Sequence, residues 1–313
     1  MNGFRGDSLR CLVLGGSGFI GSHLVDSLLD IGHRVRVFDR PGATSHMVGT
    51  NVLLDVQEGD FTSKADIAEA VRDCDICFHL VSTTLPKTSN ADPIYDLESN
   101  LIGSVQLLQC AVAAGVRKVI FTSSGGTVYG VPEYVPVDES HPTQPTCSYG
   151  IAKLAIEKYL ELFRQLHGLE YSALRLSNPY GERQRISGSQ GAVAVFLGKV
   201  IRGDSVEIWG DGSVIRDYIH VSDVVSALLA CIGYHGDQRV LNVASGTGMS
   251  LVDMLKDIEE VTSRKATPIF LPGRPFDVPI NVLSNERAKH VLRWEPKVDF
   301  LTGIARMAQW AAL

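Results

Sequence analysis

Long runs of any one character are absent from this chain of 313 residues. No apolar stretch reaches the roughly 18 residues that a membrane-spanning helix needs, so no transmembrane segment is expected. The 29 lysines and arginines are scattered among 35 acids. A net charge of −6 without a basic cluster excludes a nucleic-acid footprint. A phosphate-bearing ligand would have to be held by local groups. Cysteine is scarce, with six in all, and only Cys74 and Cys77 lie close together, at what reads as a buried strand start. No second pair completes a zinc site, so no metal is expected and the cysteines read as thiols of a reducing cytoplasm. The stretch Met1 to Asp7 lacks the apolar centre of a signal peptide, which also points to a cytoplasmic protein. What the chain has is an ordinary globular balance, 45% hydrophobic and 20% charged. That is enough to bury a large core, as one large domain or two intimately joined ones.

From Leu9 to Phe38 the pattern gives a strand, a turn, a helix and a second strand. Cys11 to Leu14 is apolar, His23 to Leu29 has helical spacing, Gly32 closes the helix, and Arg34 to Phe38 is extended. Gly15, Gly18 and Gly21 fall as G-x-x-G-x-x-G in the turn between. Such glycines permit a tight turn, let backbone approach a pyrophosphate, and let the helix pack closely on the strand, with the helix N-terminus favouring the phosphate charge. Asp39 at the end of the second strand can accept both ribose hydroxyls and would repel a 2′-phosphate. This favours NAD over NADP, although Arg40 beside it could take that phosphate.

The alternation continues. A short strand within 51–58 is followed by Asp60 and Phe61, where the aspartate suits either an adenine amino group or the cap of the helix starting near Lys64. Asp75 to Val81 is another buried strand, and His79 within it reads as a packed core histidine. The polar stretch from Ser82 to Asp92 leaves a strand's C-terminal edge, where open α/β sheets bind ligands. Asn100 is expected to open a helix through Ala114, and Val116 to Thr122 returns to the sheet. Parallel strands with right-handed crossovers follow. Tyr149 and Lys153 then stand four residues apart at the start of a helical run and share one face. An ammonium beside a phenol lowers its pKa from about 10, making the pair an acid/base. The same spacing also fits a surface helix with a snorkelling lysine.

The stretches GGSGFIGSHL at 15–24, TSSGGTVYG at 122–130, YGIAK at 149–153, RLSNPYG at 175–181, GDGSVIRDYIHVSDV at 210–224 and LNVASG at 241–246 resemble the extended short-chain dehydrogenases/reductases, in particular the nucleotide-sugar 4-epimerases. The resemblance covers nearly the whole chain. It implies an α/β fold, a Rossmann-like doubly wound parallel sheet, with a smaller, partly interleaved C-terminal substrate-binding domain. The expected division is 1–176 for the NAD-binding domain, with 217–243 returning to it, and 177–216 with 244–313 for the nucleotide-sugar domain. It further implies that Tyr149 is the acid/base, that Lys153 binds the nicotinamide ribose and lowers the tyrosine pKa, and that Gly15, Gly18, Phe19, Ile20, Gly21, Asp39, Arg40, Asp60, Phe61, Leu80, Asn100 and Ser123 line the NAD site.

One position departs from the pattern. Family epimerases carry Ser or Thr four residues before the tyrosine of the VYG motif, and here that residue is Gly125. A hydroxyl is needed to hold the sugar O4 while its proton moves. Ser124 is the first candidate and Thr127 the second. The glycine pair also lacks the Asp-Glu of a 4,6-dehydratase.

In the remainder, Asn178 resembles the asparagine that bonds the diphosphate, and Gln190 to Val195 is expected over the nucleotide base. Arg216 and Arg274 are assigned to the diphosphate, because a planar fork holds two phosphate oxygens, although a surface ion pair is the ordinary fate of an arginine. Asp277 matches the carboxylate on the nucleotide ribose. Asn281 matches the position that limits room around the sugar C2 substituent and is of a size to admit an N-acetyl group. Asp217 is read as pairing locally, Asp223 as capping a helix over 224–232, and Trp294 as core. The expected activity is 4-epimerisation of a UDP-glucose/UDP-galactose type substrate through a 4-keto sugar. The alternatives are a reductase or decarboxylase of the same scaffold, or a non-catalytic NAD-binding protein. The helices 100–114 and 149–166 carry apolar faces suited to a homodimer, or equally to internal burial.

Overall fold

The computed structural model describes residues 8–43, 51–188, 191–273 and 278–312. In chain order the first part gives β1 (Arg10–Leu14), α1 (Phe19–Asp30), β2 (Arg34–Asp39), β3 (Leu54–Glu58), α2 (Lys64–Ala70), β4 (Ile76–His79), α3 (Pro93–Asp96), a π-helical stretch (Leu97–Ile102), α4 (Gly103–Ala114), β5 (Lys118–Ser124), α5 (Ser148–His167) and β6 (Glu170–Leu176). There follow β7 (Asn178–Tyr180), α6 (Ala192–Arg202), β8 (Ser205–Trp209), β9 (Ile215–His220), α7 (Val221–Ala230), β10 (Val240–Val243), β11 (Gly248–Ser250), α8 (Leu251–Thr262), β12 (Thr267–Leu271), β13 (Ile280–Asn281), α9 (Glu286–Leu292) and α10 (Phe300–Ala311).

Seven strands form one sheet in the order β10-β6-β5-β4-β1-β2-β3. The pairings of β1 with β2 and β4, of β2 with β3, and of β4 with β5 are parallel. Order reverses between β1 and β4, the topological switch point of a Rossmann-like sheet, beside which such folds bind their ligands. Leu12, Val13 and Leu14 of β1 are fully buried, as are Ile76, Cys77 and Phe78 of β4, because helices cover both faces of a parallel sheet. Leu12, Leu14, Phe38, Leu107, Phe121 and Ile156 belong to one core joining the sheet to α4 and α5. All six cysteines are free thiols. Among the described residues no helix is long and apolar enough to cross a membrane.

The chain forms two compact units, one of residues 1–130, 142–175 and 225–241, the other of 131–141, 176–224 and 242–313. The second has its own core, in which Tyr180, Val193, Leu197, Ile208, Met254 and Ile304 are buried. Strand β9, whose sequence suggested a return to the first unit from residue 217, lies in the second. It pairs with β11, β13 and β7, and those pairings account for its hydrogen bonds.

Two helix boundaries differ from the expectation. The helix expected to begin at Asn100 is preceded by α3, which starts at Pro93 with the Asp92 side chain accepting the Tyr95 N–H at 3.0 Å. Proline at the first helical position after an aspartate is a start signal, and Asn100 consequently sits mid-helix in the π stretch. Helix α7 starts at Val221, so Asp223 lies within its first turn rather than capping it. The Asp223 carboxylate accepts the N–H groups of Lys297 and Val298, both at 3.0 Å.

Candidate active site

Three strand ends of the first unit build the cofactor side. After β1 the chain turns through Gly15, whose φ of +83° is left-handed and suits only glycine well. Its N–H bonds the Phe38 carbonyl at 2.8 Å and its carbonyl accepts the Gly18 N–H at 3.1 Å. A Cβ on Gly21 would lie 2.1 Å from the Gly15 oxygen and 2.7 Å from the Gly16 Cα, so helix α1 approaches the turn as only glycine allows. No side chain caps α1 and no acid stands in its first turn, which leaves the amides around Phe19 and Ile20 suited to an anion. A Cβ on Gly15 would stand 3.3 Å from the backbone of Leu80 and Val81, which places the end of β4 against the turn.

Asp39 ends β2 with its carboxylate over the same turn, accepting the Ser17 N–H at 3.1 Å and the Arg40 N–H at 2.9 Å. Arg40 is exposed. The exposed Asp60 does not cap α2, since Ser63 does that. Its carboxylate accepts the Thr62 N–H and hydroxyl, both at 2.8 Å, and those bonds lower its pKa. The Phe61 ring is buried, 5.1 Å from the ring of His79, so only its backbone can face a ligand. His79 is core, as expected, bonding the Ser104 hydroxyl at 2.7 Å through Nε2. Asn100 is buried, accepting the Thr83 N–H at 2.9 Å and donating to Asp96 at 2.9 Å. These residues form a cradle with a bare helix N-terminus and a carboxylate at its far edge, which fits a dinucleotide.

Tyr149 is half-buried in the first turn of α5, in a small pocket it shares with Ser82, Asp96, Asn100, Ala152 and Lys153. The Lys153 ammonium is buried, 5.5 Å from the Tyr149 ring centroid and 4.7 Å from that of Phe121, and donates to the Thr122 carbonyl at 2.9 Å. The expected low tyrosine pKa is not what this pocket produces. Burial pushes Tyr149 up to about 12, the Cys147 thiol and Asp96 add to the rise, and hydrogen bonds from Ser82 and Ser124 offset it only in part. Desolvation acts on the lysine too, bringing it down to about 8 against the favourable charges of Asp96 and Glu157. Lys153 shares the pocket with Tyr149, and burial is the largest influence on the phenol.

Ser124 reaches the phenol with its hydroxyl, whereas the Thr127 hydroxyl is buried with no hydrogen-bond partner among the described residues. Ser123 turns inward, donating to Glu157 at 2.5 Å, so any contact with a cofactor would come from its backbone. Glu157 is in turn held by both Nε and Nη2 of Arg175, at 3.0 and 2.7 Å, and Arg175 stacks 4.8 Å from the Tyr129 ring.

A family model, the NAD dependent epimerase/dehydratase family, matches residues 11–244. The chain belongs to this family. It is 37% identical to the UDP-glucose 4-epimerase of Mycolicibacterium smegmatis over 311 residues, covering 96% of this chain and 98% of that one. A crystal structure of UDP-glucose 4-epimerase from Thermotoga maritima, with UDP-glucose, superposes with a TM-score of 0.92 at 36% identity over 97% of this chain and 99% of that one. The UDP-glucose 4-epimerase of Thermus thermophilus, complexed with NAD, gives 0.89 at 33% identity over 96% and 98%.

The second unit of this NAD-dependent epimerase/dehydratase family member carries the residues assigned to the substrate. Asn178 opens β7 and donates to the Asp217 carbonyl at 2.8 Å. Arg216, in β9, stands opposite Asn281 of β13 and donates to the Ile215 carbonyl at 2.8 Å. Asp217 pairs locally as expected, its buried carboxylate accepting the Ser245 N–H at 2.9 Å, the Ser245 hydroxyl at 2.8 Å and the Gly246 N–H at 3.0 Å. Trp294 is buried. Arg274, Asp277 and Gln190 lie outside the described residues.

Sequence reasoning misses Ser82, Asp96 and the Glu157–Arg175 pair. Glu157 was within reach, since it lies one helical turn beyond Lys153 on the same face. Arg175 and Asp96 meet the site only through the tertiary fold.

Proposed function

We propose that the chain is an NAD-dependent nucleotide-sugar 4-epimerase, most suited to interconverting UDP-glucose and UDP-galactose. The observation that carries this reading is the phenol of Tyr149 hydrogen-bonded to the Ser124 hydroxyl, with the Lys153 ammonium 5.5 Å from its ring, in the unit that also builds the glycine cradle. The Thermotoga relative, solved with UDP-glucose, and the Thermus relative, solved with NAD, support it.

In the proposed reaction Tyr149 takes the proton of the sugar 4-hydroxyl and later returns it to the 4-keto oxygen, once the sugar has presented its other face to the cofactor. When bound, NAD supplies hydride acceptance and return at C4. Burial opposes the phenolate, and hydrogen bonds from Ser82 and Ser124 favour it; the Lys153 ammonium, 5.5 Å from the ring, is assigned the remaining stabilisation. Lys153 still carries its proton at neutral pH. Ser124 orients O4 in place of the hydroxyl missing at Gly125. Gly15, Gly18, Gly21 and the start of α1 hold the pyrophosphate, and the Asp39 carboxylate selects NAD by bonding the ribose. Arg216, Asn178 and Arg274 hold the diphosphate and Asp277 the nucleotide ribose, leaving the sugar loose enough to turn its other face.

We further propose a cytoplasmic homodimer. Ile94, Tyr95, Ile102, Ile151, Leu162 and Leu166 are exposed apolar residues of the helical stretch 93–114 and of α5, and pairing those helices between two copies would cover them. Light scattering after gel filtration tests this, and a monomer would refute it.

The deciding experiment is incubation with UDP-glucose, UDP-galactose and their N-acetylated counterparts, reading the C4 configuration by NMR. Interconversion with no net change in nicotinamide absorbance is expected. A net change in nicotinamide absorbance would replace the epimerase by a reductase or decarboxylase of the same scaffold.

A further inference from the structure

Helix α5 begins without a cap of its own. Its N-cap residue, Cys147, makes no side-chain cap bond, although the first turn carries Tyr149. An uncapped helix end frays, and a frayed first turn would let the phenol wander. The missing acceptors come instead from the segment between β4 and α4. Ser89 accepts the Tyr149 N–H at 3.1 Å and Asn90 accepts the Ser148 N–H at 2.8 Å. The Ser148 hydroxyl donates to the Asp96 carboxylate at 2.6 Å.

Asp96 is fully buried. A carboxylate is a costly thing to bury, and a neutral side chain would serve if a single hydrogen bond were all it had to make. It has three donors to satisfy on three separate pieces of chain. Asn100 Nδ2 reaches it at 2.9 Å from the π stretch, Thr84 Oγ1 from the loop after β4, and Ser148 Oγ from α5. An acceptor-only group with two oxygens matches that set. Asn100, so held, also takes the Thr83 N–H at 2.9 Å, which fixes the loop after β4 from which Ser82 reaches the phenol. Asp96 and Lys153 line the same small pocket, and the Asp96 charge favours the buried ammonium.

We propose that Asp96 is a positioning residue for the Tyr149–Lys153 pair, its carboxylate tying the first turn of the catalytic helix to the π-helical stretch through Ser148. The inference rests on the epimerase reading for its consequence in turnover, though the tie itself does not depend on that reading. Asp96 touches neither sugar nor cofactor in this scheme. Its work is to keep the phenol where the reaction needs it, and displacements of an ångström or less matter there.

The test uses Ser148→Ala, which deletes one arm of the tie while leaving the buried charge two donors, together with Ser148→Thr as the rescue and Asp96→Asn as the charge-free variant. Two readouts are taken on the full chain. Hydrogen exchange of the Ser148 and Tyr149 amides, measured without substrate, should speed up about tenfold in Ser148→Ala while the second half of α5 is unchanged, as expected for losing one charge-assisted hydrogen bond. Steady-state epimerisation should show kcat down by about tenfold with KM and NAD affinity within about twofold, as when positioning rather than binding is lost. Ser148→Thr should restore both readouts, and Asp96→Asn should resemble Ser148→Ala or be worse. Unchanged exchange in Ser148→Ala overturns the proposal. So does a loss in which NAD affinity or KM moves as much as kcat, which would mark a structural role. A wild-type chain that fails to epimerise, with exchange behaving as described, would sink the functional reading alone.

Discussion

Replacing Glu157 by Gln isolates a charge rather than a contact. Glu157 and Arg175 have side chains only 3% and 6% exposed and meet at 2.7 Å, with a second bond at 3.0 Å. Glutamine keeps the shape and can still accept the Ser123 hydroxyl, but it leaves the guanidinium, 4.8 Å from the Tyr129 ring, buried without its counter-charge. Removing one partner of such a pair costs about 3–5 kcal/mol, because the stranded ion keeps its desolvation penalty. For a chain of this size that corresponds to a melting temperature lower by about 5–8 °C. The assay is thermal unfolding followed by circular dichroism, at fixed protein concentration and without added cofactor. A control separates charge from packing. Glu157→Leu combined with Arg175→Met removes both ions together and should recover to within about 2 kcal/mol of the parent. The function should suffer as well, because Ser123 and Ser124 are consecutive at the end of β5 and Glu157 holds the first of them. A single variant that melts within about 1 kcal/mol of the parent would refute the reasoning, since the pair would then be solvated or replaceable by other donors.

Other expectations follow the same logic. Tyr149→Phe should lower kcat by about 10²–10⁴-fold and leave NAD bound, checked by steady-state rates beside calorimetric cofactor titration; near-parental turnover would remove the tyrosine from the chemistry. Gly21→Ala must displace either the Gly15 carbonyl, 2.1 Å from the new carbon, or the helix itself. NAD affinity should fall by about tenfold or more and stability by about 1–3 kcal/mol, measured by calorimetry and melting. Lys153→Met should be inactive yet more stable at neutral pH by about 2 kcal/mol. The sign comes from the lysine's depressed pKa. The native chain binds fewer protons than the unfolded one between about pH 8 and 10.5, so the penalty of the buried charge is complete below 8 and is relieved as pH rises. The variant's advantage in urea melts should therefore shrink across that window, and a constant difference would contradict the assignment.

Much of the first unit was legible because its signals are local. The glycine spacing dictates a turn that only glycine can make at Gly15 and Gly21, and the apolar runs at Cys11 to Leu14 and Ile76 to Phe78 are what a sheet buried on both faces requires. The i, i+4 spacing of Tyr149 and Lys153 brings them to one helix face as a matter of geometry. The start of the helix near Asn100 escapes a reading that passes over Asp92 and Pro93, which cap and open α3, and the role of Asp223 escapes it because its partners, Lys297 and Val298, lie far along the chain.

From residue order alone came the parallel α/β sheet, the cradle for a dinucleotide and the phenol–ammonium pair, since each shows in the spacing of neighbouring residues or the alternation of consecutive elements. Tertiary structure decided the rest. It set the electrostatic balance at Tyr149, because burial is a property of everything packed around a group and here it is the largest influence on the phenol. It also chose Ser124 over Thr127 as the hydroxyl on the phenol, and brought Asp96 to Ser148 and Arg175 to Glu157 from distant segments. No periodicity encodes such meetings, because only the folded chain says which buried charges must satisfy one another.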